Sequence, residues 1–202
     1  MPTLAIAEAF EPEAVPRKVW TRTECAALVA AKVIDTDRLE LIEGDLIRKV
    51  GKKRPHTSAL SLLLAWAFGA FGKNFVNSET SIDVSPQDNP TSEPEPDIIV
   101  LARPSFTIRD LNPRPQDIRL VIEVSDSSIA FEQNTKAKLY ARAAVGEYWV
   151  LDVRLRRLTV HRDPKSDGSF GSRVTYGEYD KASALAAPDV ELMISELFPE
   201  ES

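Results

Sequence analysis

Apolar residues recur along this chain in patterns that predict alternating helices and strands. Their spacing of three and four between Leu60 and Phe71 is typical of one buried helix face. Pro55 favours the start of this helix and Gly72 its end. The predicted helices are a short one capped by Thr21 or Thr23 and ending at Ala31, one from Pro55 to Gly72, and an alanine-rich one over residues 132–145.

Short apolar runs between these helices predict strands, and the turn Glu43-Gly44-Asp45 predicts a β-hairpin. Proline-rich stretches at 85–96 and 103–117 predict loops. The other predicted strands cover residues 75–84, 97–101, 118–124, 148–152 and 155–162, followed by a polar loop at 163–172, strand-like pieces from Val174, and a strand or helical turn at 192–198. This order predicts an α/β or α+β fold with one mixed central β-sheet flanked by helices.

Composition sets the domain count. The chain has 202 residues, 43% apolar and 28% charged, which is typical of one globular domain that needs no disulfide or structural metal. We expect a loose tail over residues 1–16, which carry three prolines, and a single folded domain over 17–202. The lone cysteine, Cys25, excludes an intramolecular disulfide and any multi-cysteine metal site.

Charge and hydropathy narrow the possible partners. A net charge of −6 argues against a protein that coats nucleic acid without specificity, but not against an enzyme with a local basic patch. No signal peptide is evident, and the most apolar stretch, 59–71, is shorter than the ~20 residues that cross a bilayer. We therefore expect a cytoplasmic protein with no membrane contact.

Two carboxylates stand in or beside apolar strands. Glu123 interrupts the predicted strand 118–124, and Asp97 begins the strand 97–101. Burying an ionised group costs several kcal/mol unless it is paired or binds a metal. If the two strands are neighbours, these carboxylates converge and form an oxygen site suited to Mg²⁺ or Mn²⁺.

The same residues carry a family resemblance. The order Pro96-Asp97, then Glu123-Val-Ser125, then a lysine on the next helix resembles the restriction-endonuclease-like superfamily, whose motif is Pro-Asp…(Asp/Glu)-x-Lys. More closely, the chain is similar to the Uma family of proposed bacterial endonucleases over residues 20–198. The segments that carry this similarity are Leu41-Ile-Glu-Gly-Asp45, His56, Glu123-Val-Ser-Asp-Ser-Ser128, Lys136…Tyr140-Ala-Arg and Gly146-Glu-Tyr-Trp-Val-Leu-Asp152.

The resemblance implies a restriction-endonuclease-like fold and a metal-dependent nuclease site. Asp97 and Glu123 would bind Mg²⁺ or Mn²⁺ together with the main-chain carbonyl of Val124, and Glu43 matches an extra acidic residue. Ser125 stands where the superfamily motif has lysine, so Lys136 on the following helix would supply the catalytic ammonium.

Each of the carboxylates has a structural alternative. Asp97 can cap a turn, Glu123 can form a structural ion pair, and Glu43 can be only a hairpin-turn residue.

The basic candidates have alternatives as well. Lys136 can pair with Glu132, four residues earlier, on a solvated helix face. Lys138 is the alternative catalytic lysine, roughly 200° further around the helix. His56 and Lys53, at a helix start, can contact a phosphate, or they can serve only as surface or capping residues.

The sequence thus predicts an Mg²⁺-dependent endonuclease acting on DNA. The alternative is a catalytically inactive nuclease-fold module that binds DNA or a protein, and RNA is a further possible substrate. Cutting both strands requires two sites, which leaves a homodimer open.

Overall fold

The computed structural model describes residues 16–35, 39–49, 53–109 and 112–198. The predicted N-terminal tail lies outside these ranges except for residue 16. The helices are α1 (Arg22–Ala30), α2 (Arg54–Phe71), α3 (Ile129–Phe131) and α4 (Ala137–Arg142), with a π-helical segment, Glu132–Lys136, between the last two. The strands are β1 (Leu39–Ile42), β2 (Asp45–Arg48), β3 (Val76–Ser78), β4 (Ile98–Leu101), β5 (Ile118–Ser125), β6 (Glu147–Asp152), β7 (Arg157–Pro164), β8 (Phe170–Tyr176), β9 (Lys181–Ala184) and β10 (Ala187–Met193).

Six of the strands form one mixed sheet in the order β3-β4-β5-β6-β7-β8. Only the β5–β6 pair in this sheet is parallel, because the helical segment from α3 to α4 carries the chain back across the sheet between them. The predicted fold class, a mixed central sheet with flanking helices, is confirmed.

Apolar layers cover both faces of this sheet. One face packs against α2, the β9–β10 hairpin and the helical turn Ile194–Leu197, and it includes Ile122 and Trp149. The other face packs against α4 and the loop before β4, and it includes Val121 and Tyr148. Successive residues of β5 therefore enter opposite cores, as the two-residue period of a strand requires.

The β1–β2 hairpin has the predicted turn. Glu43 and Gly44 form its two-residue loop, with φ values of 50° and 83°. Positive φ at both loop positions fits the right-handed twist of a hairpin. A Cβ added at Gly44 would also collide with the side chain of Val19, so this position requires glycine for space as well as for conformation.

Some predicted boundaries are wrong. The strand expected over 75–84 is limited to β3, because Glu79 adopts a left-handed conformation with φ of 48° and interrupts it. The loop expected over 163–172 is shorter, since β7 and β8 remain paired as far as Pro164 and Phe170. The helix expected over 132–145 begins earlier, at Ile129, whereas residues 192–198, expected as a strand or a helical turn, do contain the helical turn Ile194–Leu197.

Candidate active site

A cleft of about 800 Å³ opens where β4 begins and β5 ends. Its walls are the β1–β2 hairpin, the first turn of α2, and the chain from the end of β5 through the π-helical segment. Six of its ionisable lining residues form the candidate site: Glu40, His56, Asp97, Glu123, Glu132 and Lys136.

The pairing of β4 with β5 brings the two predicted carboxylates to the same end of the sheet. Ile98 lies opposite Ile122 in this antiparallel pair, so continuing the register by one residue sets Asp97 against Glu123. Opposite residues in an antiparallel pair project from the same face. The Val124 N–H donates a hydrogen bond to Asp97 Oδ2 at 2.8 Å, which fixes the Asp97 carboxylate against β5.

Glu123 is buried, with 4% of its surface exposed. Its Oε1 accepts hydrogen bonds from Lys136 Nζ at 2.9 Å and from the Tyr140 hydroxyl at 3.0 Å. Burial raises the pKa of Glu123 well above its ordinary value, and the Lys136 ammonium opposes that rise. The ion pair considered for Glu123 thus exists, and its partner is the lysine predicted to be catalytic.

Lys136 lies at the centre of the site and is 3% exposed. Its Nζ is 2.9 Å from Glu123 Oε1, 3.0 Å from Glu40 Oε1 and 3.5 Å from Glu132 Oε2. Burial opposes the charge on Lys136, but the three carboxylates outweigh it, so its pKa stands well above the ordinary value. The pair with Glu132 therefore lies inside the cleft and not on a solvated helix face, whereas Lys138 is exposed.

A π-helical turn carries both Glu132 and Lys136. Such turns are uncommon and occur often at functional sites. The Tyr148 hydroxyl donates to the main-chain carbonyl of Glu132 at 3.1 Å, so β6 supports this turn from beneath.

Glu40, which the sequence analysis did not single out, lines the cleft, and Glu43, the predicted acidic residue, does not. Glu43 is exposed in the hairpin turn, where its carboxylate lies 2.5 Å from Arg142 Nη2, outside the cleft. Glu40 is 7% exposed, and its Oε1 accepts the main-chain N–H of Glu95 at 2.8 Å as well as the Lys136 contact. The acidic residue that β1 contributes is therefore Glu40, and its position within the apolar run Leu39–Ile42 was the signal that could have identified it.

The first turn of α2 lines the cleft with His56 and Lys53. His56 is 8% exposed, which excludes a plain surface role; its Nε2 lies 3.6 Å from Asp97 Oδ2, and its Nδ1 has no hydrogen-bond partner within the described chain. Lys53 is the exposed N-cap, and its side chain makes no capping bond. This turn also lacks acidic residues, so the partial positive charge of the helix end is open to an anion.

The donor chemistry of the site suits a hard divalent cation. Glu40, Glu123 and Glu132 place carboxylate oxygens around the Lys136 ammonium, and Asp97 lies beside Glu123 across the β4–β5 pair, so the carboxylates outnumber this ammonium. Burial also raises the pKa of Glu132, as it does for Glu123. In the described ranges no three acidic, histidine or cysteine side chains are already arranged as a metal cluster.

Comparison with known proteins places the chain in a family. The family model Uma2, described as "Putative restriction endonuclease", matches residues 31–195. The chain belongs to the Uma2 family. The resemblance that the motifs indicated is thereby confirmed over residues 31–195 of this protein.

A solved structure shares the fold of this Uma2 chain. It is the crystal structure of "a putative nuclease belonging to DUF820" from Anabaena variabilis ATCC 29413, with a TM-score of 0.64 and 17% sequence identity. The match covers 84% of this chain and 94% of that one. No curated protein matched the sequence. Within the described residues, no helix is both long enough and apolar enough to cross a membrane.

Proposed function

We propose that this protein is a divalent-metal-dependent endonuclease that hydrolyses DNA phosphodiester bonds. The observation that carries the proposal is the meeting of Asp97, Glu123 and Lys136 in one cleft at the end of two neighbouring strands. Membership of the Uma2 family supports a nuclease, and the fold shared with the Anabaena variabilis protein agrees with that function.

Asp97 and Glu123 are the proposed ligands of Mg²⁺ or Mn²⁺, together with the main-chain carbonyl of Val124. A bound divalent cation would stabilise charge on the phosphate and lower the pKa of the attacking water. Glu40 adds a fourth oxygen donor from β1, in the role that the sequence suggested for Glu43.

Lys136 supplies a buried positive charge next to the proposed ligands. The neighbouring carboxylates raise its pKa, which favours the charged ammonium form. We assign it the stabilisation of negative charge that develops on the phosphate oxygens, a role for which a desolvated cation is suited.

The rim of the cleft supplies contacts for DNA. Arg48 and Lys49 line it on the hairpin side, and the start of α2 presents Lys53 and His56. Cationic side chains and helix N-termini bind backbone phosphates without reading sequence. We propose that this wall holds the phosphates that flank the bond to be cut.

A specific observation favours a second candidate, a nuclease-fold module that binds DNA or a protein without cutting. Ser125 occupies the position of the superfamily lysine, and Lys136 is bound to three carboxylates. A lysine held in this way is not free to approach a phosphate.

Cleavage of supercoiled plasmid DNA with Mg²⁺ or Mn²⁺ separates the two candidates. We expect the wild type to nick or linearise the plasmid only with added metal, and Glu123→Gln and Asp97→Asn to lose at least about 100-fold in rate. Glu191→Gln makes the same chemical change at an exposed pair with Lys181, remote from the cleft, and is the matched control. DNA binding without cleavage at any metal concentration would favour the binding module, and cleavage by Glu123→Gln at the wild-type rate would exclude this site.

A further inference from the structure

One buried polar group of the site has no role in the proposed chemistry, the hydroxyl of Tyr140. Tyr140 lies in α4 with none of its surface exposed, and its hydroxyl donates to Glu123 Oε1 at 3.0 Å. A buried tyrosine hydroxyl needs a partner. Because that partner is Glu123, the tyrosine can affect how the Glu123 carboxylate is oriented.

Both donors to Glu123 contact the same carboxylate oxygen. Lys136 Nζ and the Tyr140 hydroxyl lie 2.9 Å and 3.0 Å from Oε1, while no donor in the described part of the chain contacts Oε2. Glu123 also lines the cleft. The second oxygen is therefore left for a ligand that enters the cleft.

The two donors differ in rigidity. The Lys136 ammonium is at the end of a flexible chain and is shared among three carboxylates. The Tyr140 ring is fixed in the core, where it packs edge-on against Tyr148 with ring centroids 4.9 Å apart. Rotation about the last torsion of a glutamate is broad, so a fixed donor is what holds the carboxylate in one orientation.

We infer that Tyr140 is a positioning residue that holds Glu123 Oε1 and thereby presents Oε2 to the divalent cation. This inference rests on the proposed function, because it takes Glu123 as a metal ligand. Partners that orient a ligand from behind commonly change metal affinity by 10–100-fold when they are removed. Tyr140 therefore acts on metal affinity and not on the reacting atoms.

Tyr140→Phe tests this, since it removes the hydroxyl and keeps the ring. Tyr148→Phe is the matched control, because Tyr148 is equally buried but donates to the main-chain carbonyl of Glu132. Mn²⁺ binding to the metal-free protein is measured by titration calorimetry, and the melting temperature verifies that both variants fold. We expect Tyr140→Phe to raise the Kd for Mn²⁺ about tenfold and Tyr148→Phe to change it less than about threefold.

The Mn²⁺ dependence of plasmid cleavage is the second measurement. Tyr140→Phe is expected to raise the half-saturating Mn²⁺ concentration about tenfold and to keep the rate at saturating Mn²⁺ within about threefold. Equal Mn²⁺ affinity in the wild type and Tyr140→Phe would overturn the inference and leave the proposed function standing if Asp97→Asn still weakens binding. A wild type that binds no Mn²⁺ would overturn both.

Discussion

Two buried glutamates, Glu147 in β6 and Glu123 in β5, differ in how the fold provides hydrogen-bond donors to their carboxylate oxygens. Glu147 has none of its surface exposed and Glu123 has 4%. Both oxygens of Glu147 are satisfied inside the fold: Oε1 accepts from Trp149 Nε1 at 2.9 Å and from Arg162 Nε at 2.8 Å, and Oε2 accepts the Leu185 N–H at 2.8 Å.

Only one oxygen of Glu123, Oε1, accepts hydrogen bonds within the described residues. Around Glu123 the neighbouring carboxylates outnumber the one ammonium, that of Lys136. Glu147 thus ties β6 to β7 and to the turn of the β9–β10 hairpin, as a structural ion pair does. Burial alone does not mark a functional carboxylate. The distinguishing feature is an oxygen that the fold leaves without a donor, beside a cleft.

The largest effect is expected from Lys136→Met, which leaves the three carboxylates around it with no cation. Removing one partner of a buried ion pair costs about 3–5 kcal/mol, so the free energy of unfolding should fall by that amount at pH 7. The carboxylates then have raised pKa values in the folded state, which binds more protons than the unfolded state, so stability should recover as the pH falls toward 5. Urea denaturation across this pH range measures it; an equal loss at every pH would contradict the excess of negative charge.

Glu147→Gln should come next, with a loss of about 2–4 kcal/mol, because the Arg162 guanidinium loses its buried counter-charge. In the same urea denaturation series, the loss caused by Glu147→Gln should change little with pH above pH 6. Mn²⁺ affinity should be unchanged, and a weakened Mn²⁺ affinity would mean that the two glutamates are not separate in function.

His161 provides a third buried group, stacked on Tyr148 with ring centroids 5.5 Å apart and with no hydrogen-bond partner for Nε2 in the described residues. Burial lowers the pKa of His161 to about 4. Between about pH 6.5 and about pH 4, His161 is therefore protonated in the unfolded state but neutral in the folded state. The free energy of unfolding should fall by roughly 2 kcal/mol as the pH drops through this interval. His161→Phe keeps the stacking and should lose less over this interval; identical profiles of melting temperature against pH would remove His161 as the cause.

The smallest effect on stability is expected from Glu123→Gln, within about 1 kcal/mol of the wild type, because the amide oxygen still accepts from Tyr140 and one surplus charge is removed. Thermal denaturation at pH 7 measures it alongside Glu147→Gln. A loss as large as that of Glu147→Gln would assign Glu123 a structural role and erase the contrast between the two.

Local patterns predicted much of this fold. Helix α2, its proline at the start and its glycine at the end follow from spacing and capping within one turn of the chain. The hairpin turn and β5 are likewise decided by neighbours in sequence. The strand expected over 75–84 fails at Glu79, where a left-handed residue interrupts an otherwise favourable pattern.

The amino-acid sequence was enough to predict the family, the sheet with its flanking helices, and six residues that line the cleft: Lys53, His56, Asp97, Glu123, Val124 and Lys136. The packing of distant segments decides that Glu40 and not Glu43 joins them, because Glu40 lies in the part of β1 that borders the cleft and Glu43 lies in the solvent-exposed turn of the same hairpin. It also decided that Tyr140 and Lys136 contact the same oxygen of Glu123. Hydrophobic spacing acts over a few residues and is legible in the chain, whereas the convergence of side chains depends on register, strand order and helix position, which arise only when distant segments pack.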